Sequence, residues 1–234
     1  MAIRFIGLLQ VLFILGYYQT PSTASDLVCE EDCPVKHPQQ LFCDADVVVI
    51  QVLRVRIKSM QLDNSPFDSL AEHNFTEYEH YQGRVKRVLK DESSFANVGD
   101  LISFYSPVSA CVFPLLELDR PYAIGGKLID GRLIVGSCDG IAMRFDELTL
   151  DQKKGFKRRY KKQCDSCPIE GASEQEEGCI YNPEASQRFG GQDCEYLYSF
   201  CKLRKRTGDC HWKRTAHYDT CFAEREALRN DSQP

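Results

Sequence analysis

Twelve cysteines carry most of the reactive chemistry in this 234-residue chain. Cys164-Asp165-Ser166-Cys167 has the CxxC spacing of a redox dithiol or of half a zinc site. No second CxxC accompanies it, so the plainer reading is two sulfurs bridged to different partners. Cys210, His211, His217 and Cys221 offer thiolate and imidazole ligands, but their spacing is loose for a metal site. Disulfides with surface histidines account for them better. Glu30, Glu31 and Asp32 supply carboxylates, yet neighbours in sequence need not face one another as an acid–base pair would. Nucleophile-elbow, phosphate-loop and zincin-helix patterns are all missing. The chain reads as a non-enzyme.

Such a cysteine density belongs to an oxidising compartment. Arg4, the apolar run from Phe5 to Gly16, and the small residues Ser22, Thr23 and Ala24 follow the order of a signal peptide cleaved after Ala24. The run is shorter than the roughly 20 residues that a membrane span needs. Asn74-Phe75-Thr76 is a glycosylation sequon, and Asn230-Asp231-Ser232 is a second near the end. These features predict a secreted, extracellular glycoprotein.

The elements that must hold the cysteines divide at an acidic, Gly-containing run, Glu170 to Gly178. The expected organisation is a signal peptide over 1–24, a domain over 25–164, and a small disulfide-rich domain with a tail over 165–234. Six cysteines fall on each side of Cys164/Cys167, which permits separate stapling; six cysteines allow about fifteen pairings. Residues 25–164 hold 19 basic and 21 acidic side chains, and 165–234 hold 9 and 13, so neither part is a polybasic nucleic-acid binder.

The first part reads as strand. Residues 47–58 begin all apolar and then alternate, Leu53, Val55 and Ile57 against Arg54, Arg56 and Lys58, predicting a strand whose end is exposed on its basic face. Residues 59–74 form a polar loop; further strands are expected at 77–90, 101–105, 122–128 and 132–137. Asp130-Gly131 marks a hairpin turn between the last two. Five such strands predict a small closed barrel. Thr149 and Gln152 then form a capping box for a helix reaching 160–163, with Phe156 and Tyr160 on its buried face. Lys153, Lys154, Lys157, Arg158 and Lys161 make that helix strongly basic, either a solvated face or a patch for sulfated glycans. Trp212 is expected to anchor packing, and 222–229 to form a short helix tethered at Cys221.

The segment Cys33-Pro-Val-Lys-His37-Pro-Gln-Gln-Leu-Phe-Cys43-Asp-Ala-Asp-Val-Val48 resembles the opening of the tissue inhibitors of metalloproteinases. Tyr122-Ala-Ile-Gly-Gly-Lys127, Cys138-Asp139, Asp146-Glu-Leu-Thr149, Gln152-Lys-Lys154, Arg159-Tyr160 and Cys164 extend the likeness. Cys201 and Gly208-Asp-Cys210-His-Trp212 carry it more loosely into the second part.

The resemblance implies a mainly β fold with helices, namely a five-stranded OB-type, netrin-like barrel, followed by a small disulfide-rich C-terminal domain. It implies the bridges Cys29–Cys111, Cys33–Cys138, Cys43–Cys164 and Cys167–Cys210, and leaves Cys179, Cys194, Cys201 and Cys221 unassigned. It also implies an activity. The first cysteine, Cys29, would grip the catalytic zinc of a secreted metalloproteinase through its α-amine and carbonyl oxygen and displace the zinc-bound water. Glu30 would enter the specificity pocket, and Val108-Ser109-Ala110-Cys111 would form a second ridge. The only metal involved is the target's zinc; the chain has no cofactor of its own.

One departure stands out. The family opens Cys-x-Cys, whereas this chain has Cys29-Glu-Glu-Asp-Cys33, and cleavage after Ala24 leaves Ser25-Asp-Leu-Val28 ahead of Cys29. A peptide nitrogen within a chain is a poor zinc ligand. Two readings therefore stay open: a metalloproteinase inhibitor, and a non-inhibitory extracellular module that binds matrix, glycans or a protein partner.

Overall fold

The computed structural model describes residues 35–60, 78–107, 116–136, 138–170, 178–183 and 192–231. It begins with a short helix, α1 (Pro38–Asp44). His37 caps it: its Nδ1 accepts from the Gln39 N–H at 3.1 Å, and Pro38 follows at the first helical position, where no N–H is needed.

Five strands close a barrel: β1 (Val47–Met60), β2 (Tyr78–Asp91), β3 (Leu101–Pro107), β4 (Pro121–Ile129) and β5 (Arg132–Ile134). The order is β1-β2-β3-β5-β4, and β4 returns to pair with β1, leaving no free edge along the closed part. All pairings are antiparallel except β3 with β5. Asp130 (φ 46°) and Gly131 (φ 74°) make the tight turn between β4 and β5, as the Asp-Gly pair predicts. A sixth strand, β6 (Ile141–Arg144), lies along the first half of β4, where β5 does not reach. Gly126 sits at that handover; a Cβ there would stand 1.9 Å from the Ile134 carbonyl oxygen, so only glycine fits.

Two apolar layers share β1. Val47, Val49 and Leu53 fill the barrel with Tyr81, Val85, Phe104, Ile124 and Leu133. Val48 faces the other way, onto Leu41, Phe42, Ala123, Ile141, Phe156 and Tyr160. Hence the unbroken apolar start of β1.

The far end of β1 departs from the expected alternation. Val55 and Ile57 are 41% and 44% exposed, while Arg56 is the half-buried residue. A register shift between Leu53 and Val55 reverses the faces, since one extra residue turns every later side chain over. Arg56 is then paired with Glu79, which also accepts from the Tyr81 hydroxyl.

The capping box opens α2 (Leu150–Lys154): Thr149 Oγ1 accepts from Gln152 N–H at 3.1 Å, and Gln152 Oε1 accepts from Thr149 N–H at 3.0 Å. The α-helix is shorter than expected. It continues as a π-helical turn over Gly155–Arg159, and Tyr160 N–H donates to the Gly155 carbonyl five residues back. Phe156 and Tyr160 remain buried with ring centroids 5.3 Å apart.

The C-terminal region contains β7 (Ile169–Glu170), β8 (Cys179–Ile180), α3 (Cys194–Tyr198), β9 (Ser199–Leu203), β10 (Cys210–Arg214) and α4 (Ala216–Asp231). The last is longer than the helix expected at 222–229. Among the described residues no helix is long and apolar enough to cross a membrane.

Candidate functional site

The residues assigned to zinc recognition, Cys29, Glu30, Val108, Ser109, Ala110 and Cys111, lie outside the described residues, as do Cys33 and Asn74. What the structure describes is their roots. One is Val35–His37 leading into α1. The other is Pro107, which ends β3 opposite Tyr78. Beside it, His80 stacks on Tyr105 at 4.8 Å, and neither of its ring nitrogens has a hydrogen-bond partner among the described residues. Burial lowers its pKa.

The sulfurs of the described residues form a framework of bridges. Cys43 is bridged to Cys164, Cys167 to Cys210, Cys179 to Cys201, and Cys194 to Cys221. Cys138 is also disulfide-bonded, and no cysteine is free among the described residues. The sulfurs of Cys164 and Cys167 therefore serve different bridges, and those of Cys210 and Cys221 are committed to disulfides rather than to a metal.

The polar residues of the sequence motifs converge on one joint. There the side chains of the barrel half satisfy backbone groups of residues 195–203. Gln39 takes both groups of Cys201: its Oε1 accepts from the Cys201 N–H at 2.9 Å, and its Nε2 donates to the Cys201 carbonyl at 3.2 Å. Thr149 Oγ1 donates to the Leu197 carbonyl at 2.9 Å, and Gln152 Nε2 to the Tyr196 carbonyl at 3.4 Å. Gln163 Oε1 accepts from Leu203 N–H at 3.2 Å. Gln39 and Gln152 are buried, so these amides replace water for a chain segment that has left it.

His37 is the centre of the joint. It is fully buried and ringed by Trp212, Tyr181, Tyr196 and Tyr160 at centroid distances of 5.0, 5.4, 6.2 and 6.4 Å. Its Nδ1 accepts from Gln39, so the proton sits on Nε2, which donates to the Glu195 carbonyl at 3.2 Å. Burial drives its pKa from the ordinary 6.5 down to about 3, against the opposing pull of Glu195. His37 is thus a structural pin. Trp212 packs here and donates to the Ile180 carbonyl at 3.1 Å.

Glu195 links the joint to the tail. It accepts from the Tyr218 hydroxyl at 2.6 Å and from Arg225 at 3.0 Å. Burial works to raise its pKa, but Arg225 and Tyr218 outweigh it and hold the carboxyl below its usual range. His217 reaches Asp151 at 2.9 Å, and Arg159 reaches the same carboxylate at 3.3 Å. Sequence reasoning missed this convergence, because its partners are up to 162 residues apart. The visible signal was a glutamine among the apolar residues after Pro38.

In the basic patch, Lys153 donates to the Asp146 carbonyl at 2.9 Å, and both Lys153 and Lys157 lie over the Phe145 ring. Lys154, Arg158 and Lys161 are exposed.

A closed five-stranded barrel with two capping helices and a disulfide-stapled C-terminal extension defines the class of protein. Residues 28–212 match the family described as "Tissue inhibitor of metalloproteinase". The chain is 26% identical over 197 residues to "Metalloproteinase inhibitor 3" of Scyliorhinus torazame, covering 79% of this chain and 81% of that protein. It is 28% identical over 195 residues to "Metalloproteinase inhibitor 2" of Gallus gallus, covering 78% and 80%. It is 26% identical over 226 residues to "Metalloproteinase inhibitor 2" of Canis lupus familiaris, covering 92% and 93%. This chain belongs to the tissue inhibitor of metalloproteinase family.

Proposed function

We propose that the protein is a secreted inhibitor of zinc metalloproteinases, and that it acts by presenting Cys29 and Glu30 to the catalytic zinc beside the ridge Val108–Cys111. The observation that carries this reading is the extent of the family match, which begins at residue 28, directly before Cys29, and runs through both segments to Trp212. A free α-amine has a pKa near 8, so a usable fraction is neutral at physiological pH and can bind zinc. The Cys29–Cys111 bridge that the resemblance implies would hold the two segments together before binding and reduce the ordering cost. The zinc is the target's; the inhibitor contributes ligand atoms and shape, catalyses nothing and needs no cofactor.

A second reading is favoured by one observation, the spacing Cys29-Glu-Glu-Asp-Cys33 with residues ahead of Cys29. A chain beginning at Ser25 offers only a peptide nitrogen at Cys29. It would serve instead as an extracellular binding module, with the exposed Lys154, Arg158 and Lys161 available to sulfated glycans. Titration of a metalloproteinase catalytic domain, with the first residue of the inhibitor read by mass spectrometry, separates the two. Inhibition by a protein beginning at Cys29 supports the first reading. Absence of inhibition by that same form removes it.

A further inference from the structure

Three sulfurs from two different bridges meet beside the joint. Cys167 pairs with Cys210, and Cys179 pairs with Cys201. Yet the Sγ atoms of Cys167, Cys201 and Cys210 all lie within 4.8 Å of one another. A thiolate freed at any of these positions has a disulfide sulfur of the other bridge as its neighbour, which is the arrangement that thiol–disulfide exchange requires. Access is uneven. Cys167, Cys179 and Cys201 are buried, whereas Cys210 is partly exposed.

We propose that these two bridges form an exchange relay: attack by an external dithiol at Cys210 transfers the surviving bridge to Cys167–Cys201. In the first step a thiolate of the dithiol attacks Cys210 Sγ, and the Cys167–Cys210 bond breaks to leave a Cys167 thiolate. That thiolate attacks Cys201 Sγ, forming Cys167–Cys201 and expelling Cys179 as thiolate. The second thiol of the reductant then attacks the mixed disulfide on its own sulfur and expels Cys210. The reductant ends as a disulfide, having given two electrons, and the released thiolates of Cys179 and Cys210 take up its two protons.

The consequence falls on the joint. Cys201 is the residue whose backbone Gln39 holds, so the surviving bridge stays at the anchored position. Cys179 in β8 and Cys210 in β10 lose their covalent ties. β10 carries Trp212, which packs on His37, and β8 carries Ile180, whose carbonyl accepts from Trp212. Reduction of one accessible bridge therefore loosens the aromatic ring around His37 without removing every crosslink from the C-terminal region.

The test uses the full secreted chain. It is treated with dithiothreitol, raised until one bridge per molecule has opened, then trapped by acid and alkylation, and its bridges are mapped by mass spectrometry. The relay predicts Cys167–Cys201 with alkylated Cys179 and Cys210. Singly reduced molecules holding only the native pairs would overturn it. A C179A variant adds a second arm: the relay predicts alkylation spread over Cys167, Cys201 and Cys210, whereas label on Cys201 alone would contradict it. In C194A, where the partner Cys221 lies outside the cluster, the label should stay on Cys221. The wild-type measurement requires no variant, so it decides the matter even if C179A fails to fold.

Discussion

Gln39 pairs with Cys201 across 162 residues as one strand pairs with another, its side-chain amide accepting from the backbone N–H and donating to the backbone carbonyl. Both backbone groups are buried, and with the amide gone neither has a substitute. Gln39→Leu keeps the approximate volume but orphans both, at about 1–3 kcal/mol for each unsatisfied group. We expect chemical denaturation to show a loss of about 2–5 kcal/mol, with the midpoint shifting and the slope unchanged. A loss below about 0.5 kcal/mol, typical of surface substitutions, would show that Gln39 does not hold the joint.

Acid should weaken the same joint through His37. Its folded pKa lies below its unfolded value, so between pH 6.5 and about 3 the unfolded chain binds a proton that the folded chain refuses. The stabilisation is complete above 6.5 and is lost as pH falls, by at most about 1.4 kcal/mol per unit. Denaturation followed by the fluorescence of the single tryptophan, Trp212, at pH 7.5 and pH 5 measures this. His37→Asn retains a helix-capping side chain but does not titrate, and should flatten the dependence in that window. An equally steep dependence in the variant would assign the effect elsewhere.

Glu195 adds a second, lower window. Its carboxyl is held below the usual range, so its contribution is present above its ordinary pKa of 4.5 and disappears as pH falls through the lowered folded value. Arg225→Met removes the guanidinium but keeps the packing stem, and should shrink the stability lost in that range. Unchanged acid sensitivity below pH 4.5 would contradict the pairing.

The π-helical turn depends on Gly155. A Cβ there would meet the Tyr160 ring at 2.2 Å, and that ring is fully buried against Phe42 and Phe156. Gly155→Ala should cost about 1–3 kcal/mol by overpacking, although alanine is ordinarily the better helix former. A stabilised variant, seen as a raised melting temperature, would show that the turn can rewind.

The barrel was legible in the sequence where local signals agree. Alternating apolar residues marked the strands, Asp130-Gly131 marked the tight turn, and Thr149 with Gln152 marked the helix start. Val55 and Ile57 were misplaced because a register shift leaves no trace in composition. The strand β6, Ile141–Arg144, is too short to show a period. The helix α1 was hidden by its length and by a histidine cap. The motif residues His37, Gln39, Thr149 and Gln152 were visible as a family signature, but their shared task of satisfying residues 195–201 appears only when both halves are folded together. The cysteines follow the same division: the resemblance implied Cys43–Cys164 and Cys167–Cys210, whereas Cys179–Cys201 and Cys194–Cys221 needed coordinates.

The proposed inhibition requires a free amine at Cys29. Two forms of the protein, one beginning at Cys29 and one retaining Ser25-Asp-Leu-Val28 ahead of it, should be titrated against the same metalloproteinase catalytic domain. We predict stoichiometric inhibition by the first form and at least a hundredfold weaker inhibition by the second, a loss of about 2.7 kcal/mol. Equal inhibition by both forms, or none by either, would contradict the account.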